Sequence, residues 1–309
     1  MNYRLITHTD LDGVGCEILF KVIFGKDAHI DMANYDNVNE IVRDVLKDKD
    51  SKILITDLSV NKEVAKEIDN VNKVKDKIHL IDHHKTALWL NKYKWATVND
   101  DYCGTYLLFD YLINLTDLDA YHSLCSTQKI RDYFEFVILV NDHDLWINKH
   151  PESVQLDRLY SLLGREAFVE RMLNNYNVKF TDSEQTLLKV EDNRIKNYLK
   201  NKSDQVYLTK LYTNNCKDHT TVQIPGVIAD QYISELGNYL LNGRDINEIG
   251  IINMSAMTVS LRSKSDYDCS KTAAMCGGGG HKNSAGFSIS WVKFNKVNGL
   301  IEIQPKTIK

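Results

Sequence analysis

Carboxylates and imidazoles collect at four points in the first half of this chain. Thr7-His8-Thr9-Asp10-Leu11-Asp12-Gly13 follows one short apolar run, Thr56-Asp57-Leu58-Ser59 a second, and Ile81-Asp82-His83-His84 a third. The fourth, Asn141-Asp142-His143-Asp144-Leu145-Trp146, follows the apolar stretch 136–140. Oxygen and nitrogen donors without thiolates suit a hard or borderline divalent cation such as Mn²⁺ or Mg²⁺. In the H-x-D-x-D segment alternate residues face the same way if the backbone stays extended, so one turn could serve two ions. Each group alone has a duller account, since an Asp after a strand is commonly a helix cap or a turn residue. Four groups in one domain are harder to explain that way. Close carboxylates repel and shift each other's pKa values, and bound cations are the simplest relief.

A second chemical signal lies near the end, in Gly277-Gly278-Gly279-Gly280-His281-Lys282-Asn283-Ser284-Ala285-Gly286. It is not a G-x-G-x-x-G at a first strand, so a dinucleotide-binding reading fits poorly. Consecutive glycines let a backbone approach a ligand and aim several N–H groups at a phosphate. Residues 255–309 carry eight basic and three acidic side chains within a chain of net charge −4. That local excess suits an anion-gripping segment, although a solvated basic face is the plainer account.

The elements that must position these residues follow from the apolar pattern. Strands are predicted at 3–7, 29–34, 52–56 and 78–81, alternating with helices at 14–24, 38–46 and 62–68. Such alternation implies βαβ units and a mostly parallel sheet, with functional groups just beyond the carboxyl ends of its strands. Residues 103–146 read as mostly helical, and a short helix is expected over 268–275. Later strands are predicted near 206–212, 221–224, 249–253, 258–262 and 285–290, with a helix at 229–241 among them. The reading is an α/β protein of two domains. Residues 1–180 would form the metal-binding domain, 181–204 a helical connector, and 205–309 a smaller α/β domain.

Composition sets the outer bounds. The 309 residues are 43% hydrophobic and 26% charged, which is a globular composition. A net charge of −4 argues against a protein that coats long nucleic acid. No apolar run approaches 20 residues and the first residues hold no secretory signal, so a cytoplasmic location without a membrane is expected. The six cysteines, Cys16, Cys103, Cys125, Cys216, Cys269 and Cys276, show no C-x-x-C pairing and read as reduced thiols.

These motifs resemble the DHH/DHHA1 phosphoesterases over about residues 3–146 and 206–290. Asp82-His83-His84 is similar to the motif that names the family. G-G-G-G-H-x-x-x-A-G downstream of Arg262 resembles its DHHA1 domain. By that resemblance His8 and Asp10 would bind one Mn²⁺. Asp12, His83 and Asp142 would bind a second, with Asp144 the alternative to Asp142, and Asp57 would bridge the pair. The first motif is shorter than the H-x-x-x-D-x-D of many relatives. Asp57 and His84 would be catalytic, His84 facing the phosphate. Arg262, Gly278, Gly279, Gly280 and His281 would hold the substrate. The overall look is that of the NrnB-like nanoRNase branch. It implies hydrolysis of short RNA or DNA oligonucleotides, or dinucleotides, to mononucleotides by a two-metal mechanism. The alternatives are a RecJ-like exonuclease on single strands, a phosphohydrolase of cyclic dinucleotides or 3′-phosphoadenosine 5′-phosphate, and a non-catalytic nucleotide-binding protein. A homodimer is left open.

Overall fold

A computed structural model describes the chain apart from residues 1, 49, 74–76, 115–129, 148, 214–220, 296 and 307–309. Part of the expected helical stretch between 103 and 146 lies outside the described residues, as do Cys125, Cys216, Lys296 and Lys309. The chain divides into two compact units, Met1–Leu188 and Lys189–Lys309.

In the first unit, β1 (Asn2–Thr7), β2 (His29–Met32), β3 (Ser51–Thr56), β4 (Ile78–Asp82) and β5 (Ala96–Val98) form one parallel sheet in the order β2-β1-β3-β4-β5. Side chains alternate across a strand. Leu5, Leu54 and Ile81 therefore enter one core, while Ile6, Ile53, Ile55, Ile78 and Leu80 enter the other. A sheet buried on both faces explains why its strands read as continuous apolar runs.

Helix α1 (Leu11–Phe24) is buried from Leu11 to Phe20. It starts three residues before the predicted Val14 because the Asp10 carboxylate accepts from the Gly13 N–H and caps it. The helices α2 (Val38–Leu46) and α3 (Lys62–Asn72) and a 3-10 turn over Lys85–Lys92 lie on the second core's side. The first core is built with α4 (Gly104–Asn114), α5 (Phe134–Asp144), α6 (Pro151–Leu163) and α7 (Arg165–Asn174).

A part-buried ion pair ties α1 to α7. The Glu17 side chain is 1% exposed and accepts two bonds from Arg165, at 2.7 and 3.0 Å, with Lys21 Nζ at 2.8 Å. Removing the partner of a buried carboxylate leaves a charge without its compensation. Arg165→Met is expected to cost about 3 kcal/mol, the low end of the range because Lys21 remains. Urea denaturation checks this, and Glu17→Gln added to Arg165→Met should restore part of the loss.

The division between units falls inside α8 (Asp182–Ser203). This helix opens with a reciprocal cap: Thr181 N donates to Glu184 Oε2 at 2.8 Å, and Glu184 N donates to Thr181 Oγ1 at 3.3 Å. In the second unit, β6 (Tyr207–Tyr212), β7 (Thr221–Ile228), β8 (Glu248–Asn253), β9 (Thr258–Ser263), β10 (Gly279–His281), β11 (Ser284–Asn295) and β12 (Leu300–Pro305) share one mixed sheet, accompanied by α9 (Ile233–Asn242) and α10 (Cys269–Met275). The long β11 pairs with β9 through Ser284–Ser288 and with β12 through Ile289–Asn295.

Strands β5, β10 and β12 are not among those the sequence predicts. β5 and β10 have three residues each, and glycine gives β10 no strand propensity of its own. The fourth acidic group lies on a helix, within the stretch expected to be mostly helical, with Asp142 and Asp144 in the last turn of α5. Among the described residues no helix is long and apolar enough to cross a membrane.

Candidate metal centre

Register brings three motifs together. Thr7 of β1 pairs with Thr56 of β3, and Thr56 pairs with Ile81 of β4. The next residues along these adjacent strands are His8, Asp57 and Asp82, so their side chains leave the same edge of the sheet. The two threonines beneath are buried and bonded, Thr56 Oγ1 donating to Thr7 Oγ1 at 2.9 Å and Thr7 Oγ1 to Gly13 O at 3.0 Å. Asp57 has a φ of 55°, a left-handed backbone that Asp adopts more readily than most residues. Its N–H donates to Ile81 O at 3.0 Å, which ties the turn to β4.

Among the described residues the side chains form three groups of three, one of them Asp57, His83 and His84. His8, Asp10 and Asp57 offer donor atoms within 4.8 Å of one another, and so do Asp12, His83 and Asp144. His8 Nδ1 lies 2.8 Å from Asp10 Oδ2 and 3.8 Å from Asp57 Oδ2. His83 Nε2 lies 3.2 Å from Asp57 Oδ1, 3.7 Å from Asp12 Oδ2 and 3.6 Å from Asp144 Oδ2. Asp57 thus stands between His8 and His83, one oxygen toward each.

The expected extended H-x-D-x-D is corrected. Asp10 caps α1 and Asp12 belongs to its first turn, so helical geometry separates the two carboxylates. Asp12 is then fixed by α4. Its Oδ2 accepts from Gly104 N and its Oδ1 from Thr105 N, both at 2.7 Å, and Thr105 Oγ1 donates to Asp12 O at 2.6 Å. A helix N-terminus favours negative charge there. Only glycine fits at 104, because a Cβ would stand 2.8 Å from Asp57 Cβ and 2.9 Å from Asp12 Oδ2. The sequence reading passed over Gly104-Thr105; the pair right after Cys103 at a helix start was the available signal.

The expectation that Asp142 joins the cluster is corrected as well. Its carboxylate accepts from Lys149 N at 3.0 Å, His150 N at 3.2 Å and Ser153 Oγ at 2.7 Å. Two residues further round α5, Asp144 faces His83 instead. Asp142 serves the turn into α6. Burial opposes its ionisation, but the bonds from Ser153, Lys149 and His150 hold its pKa below the usual value.

Electrostatics single out the other acids. Burial, then the charges of Asp12 and Asp10, push Asp57 well above the ordinary carboxylate range. Burial and the same two neighbours push Asp144 up to about 8. Among the described residues, Asp57 Oδ2 and Asp144 Oδ2 are buried with no hydrogen-bond partner. Orphaned anionic oxygens beside imidazoles are a poor arrangement for a protein alone and a suitable one for a cation. Donor atoms 2.8–3.8 Å apart also suit an octahedral ion, whose neighbouring ligands at bonds of 2.0–2.1 Å stand about 3 Å from each other. The nearby Cys16 and Cys103 are buried, and burial with the Asp12 charge pushes both thiols well up, so they stay protonated.

His84 has partners on both ring nitrogens. Nδ1 meets Asp82 Oδ1 at 2.8 Å, and Nε2 meets the Tyr35 hydroxyl at 2.9 Å. Burial opposes protonation of His84, but the bond to Asp82 and the surrounding acids raise its pKa. Burial instead lowers the pKa of His83, which suits a neutral ligand nitrogen.

In the second unit, Arg262 of β9 and His281 of β10 both pair with Ser284 of β11, which puts them in one row across three strands. Arg262 donates to Leu261 O and Ser234 Oγ, each at 2.9 Å, and burial lowers its pKa. His281 is exposed. Gly278 and Gly280 are needed by the fold itself. A Cβ on Gly278 would lie 2.0 Å from Gly286 O, and Gly280 has a φ of 138° with Ala285 Cα 2.6 Å from its would-be Cβ. Gly279 alone of the three faces open space, with nothing within 4 Å.

No family model matches the chain. Among curated proteins it is 35% identical over 311 aligned positions to Oligoribonuclease NrnB of Bacillus subtilis (strain 168), covering 93% of this chain and 73% of that protein. It is 22% identical over 334 positions to the 3',5'-cyclic-nucleotide phosphodiesterase of Helicobacter pylori (strain ATCC 700392 / 26695), covering 92% of each. Among solved structures, RecJ from Thermus thermophilus in complex with Mn²⁺ superposes with a TM-score of 0.51 at 12% identity, over 94% of this chain and 49% of RecJ. That likeness shows a shared fold. The identity to NrnB runs through nearly the whole chain, and on it the chain belongs to the DHH/DHHA1 phosphoesterase family, in the branch that includes NrnB.

Proposed function

We propose that this protein is a metal-dependent phosphodiesterase that hydrolyses short oligoribonucleotides or dinucleotides to mononucleotides. The observation that carries the reading is the pair of three-residue groups meeting at Asp57, each with a buried carboxylate oxygen that no hydrogen bond satisfies. In this reading His8, Asp10 and Asp57 hold one divalent ion, and Asp12, His83 and Asp144 hold another, with Asp57 shared. Mn²⁺ is the first choice and Mg²⁺ the second, because all six donors are oxygen or imidazole nitrogen. Ions held by these residues would supply Lewis acidity to a water and to the phosphoryl oxygens.

The protein's own residues do the rest. Gly104 and Thr105 hold the Asp12 carboxylate in place through their backbone N–H groups. Asp82 holds His84 by Nδ1, leaving Nε2 as the ring atom that would pass a proton to the leaving oxygen. Residues 1–180 are read as the DHH catalytic domain, 181–204 as a connector and 205–309 as the DHHA1 substrate-binding domain. Arg262, His281 and the open backbone at Gly279 are its proposed phosphate donors.

Short substrates are favoured by the name of the 35% identical relative and by a net charge of −4, which offers no basic track along a long strand. With Mn²⁺, RNA dimers to pentamers are expected to be cleaved roughly tenfold faster than 20-mers, and a chromogenic phosphate monoester poorly. Cyclic nucleotides belong in the same panel because the second relative is named for them. Product analysis by chromatography decides. Equal or faster degradation of long single-stranded DNA would move the assignment to a RecJ-like exonuclease, and no cleavage of any member would leave a nucleotide-binding protein.

A further inference from the structure

Tyr35 lies in the loop between β2 and α2, and it has no place among the residues of the two cores of its unit. It is 56% exposed. Its ring is nevertheless fixed. The hydroxyl is held at 2.9 Å by His84 Nε2, and His84 is itself anchored on Asp82. The ring centroid lies 5.1 Å from that of His8 and, edge-on, 5.7 Å from that of His84. It therefore borders the group that contains His8 and the His84 ring beside it. The loop that carries it is braced as well. Asn34 N donates to Asn37 Oδ1 at 2.7 Å, Val38 N to Asn34 O at 2.9 Å, and Thr9 Oγ1 to Asn34 Oδ1 at 3.0 Å. The last of these bonds ties the loop to the first acidic motif.

A tyrosine that serves packing buries its ring. This one keeps much of its surface in water while its hydroxyl and its loop are both pinned, so it presents an aromatic surface at a set angle beside the phosphate-binding groups. A nucleobase linked through one ribose to a phosphate held there is the apolar planar group within reach. Stacking on a ring already ordered loses little conformational entropy.

We propose that Tyr35 is a nucleobase platform: the base of the nucleotide whose phosphate sits at the metal centre stacks on its ring. The inference rests on the nucleotide-phosphodiesterase reading of the same site. It adds that the site recognises a base and not only a phosphodiester. The contact is to the π-face, so it tolerates any base and confers no sequence preference.

The test is calorimetric titration of the Mn²⁺-supplemented protein with 5′-AMP and with ribose 5-phosphate, which differ only in the base. The wild type is expected to bind AMP about tenfold or more tightly than ribose 5-phosphate. Tyr35→Phe keeps the ring and should keep that preference. Tyr35→Leu should bring AMP down to the ribose 5-phosphate level, with ribose 5-phosphate affinity unchanged within about twofold. Equal binding of the two ligands by the wild type, no binding of AMP, or an equal loss for both ligands in Tyr35→Leu would overturn the proposal. A protein that prefers AMP through Tyr35 yet hydrolyses no oligoribonucleotide would sink the catalytic reading and leave the platform standing.

Discussion

Asp57→Asn is expected to lower turnover of a short RNA by roughly 10³-fold or more, because it neutralises the one carboxylate shared by both groups of ligands. Asparagine is the right replacement. It keeps the size of the side chain and tolerates the left-handed backbone at φ 55°, so the variant removes charge without adding strain. Manganese content after gel filtration should fall in step with activity. In metal-free protein the sign reverses. Asp57 is 2% exposed, its pKa is driven up by burial, Asp12 and Asp10, and its Oδ2 has no partner. Taking away that uncompensated charge should stabilise the metal-free fold by about 1–2 kcal/mol. Thermal melts with and without Mn²⁺ read both effects. A variant that keeps turnover, or that melts lower than the wild type in chelator, would contradict the shared role of Asp57.

The second large effect separates two aspartates that differ by two positions. Asp144→Asn should cost on the order of 10²–10³ in turnover with little change in stability, since its Oδ2 is unbonded and lies 3.6 Å from His83 Nε2. Asp142→Ala should do the opposite. It removes the acceptor for Lys149 N, His150 N and the buried Ser153 Oγ, and is expected to cost about 2 kcal/mol of stability while folded enzyme retains its turnover. Paired measurements of the melting temperature and of turnover per folded molecule decide between them. Loss of activity in folded Asp142→Ala, with Asp144→Asn active, would return the ligand role to Asp142.

Much of the site could be read from the chain because it depends on local order. His8, Asp57 and Asp82-His83 each follow a strand that is apolar on both faces, and such strands in a βαβ series are parallel neighbours. Their carboxyl ends must then share one edge. The prediction weakened where a helix carried the ligand. Phe136–Val140 is apolar throughout, which suits a buried strand or a buried helix equally, and periodicity does not separate them. On the helix that forms, Asp142 and Asp144 point roughly 200° apart, so only packing could select between them. Tyr35 and Gly104-Thr105 were not legible for another reason. They carry no metal-ligand chemistry, and they matter through contacts to residues 49 and 92 positions away.

The glycine run shows the same division from the other side. Its composition pointed to close backbone approach, and close approach is what Gly278 and Gly280 make, but to the backbone of β11. Sequence by itself determined the donor types, the alternating elements and therefore the edge of the sheet at which chemistry collects, because these follow from hydrophobic period and residue type over short spans. Tertiary structure decided which of two aspartates turns inward, what holds Asp12 and what stands over His84, because those outcomes rest on the register of strands and the docking of α4 and α5, which bring together groups far apart along the chain.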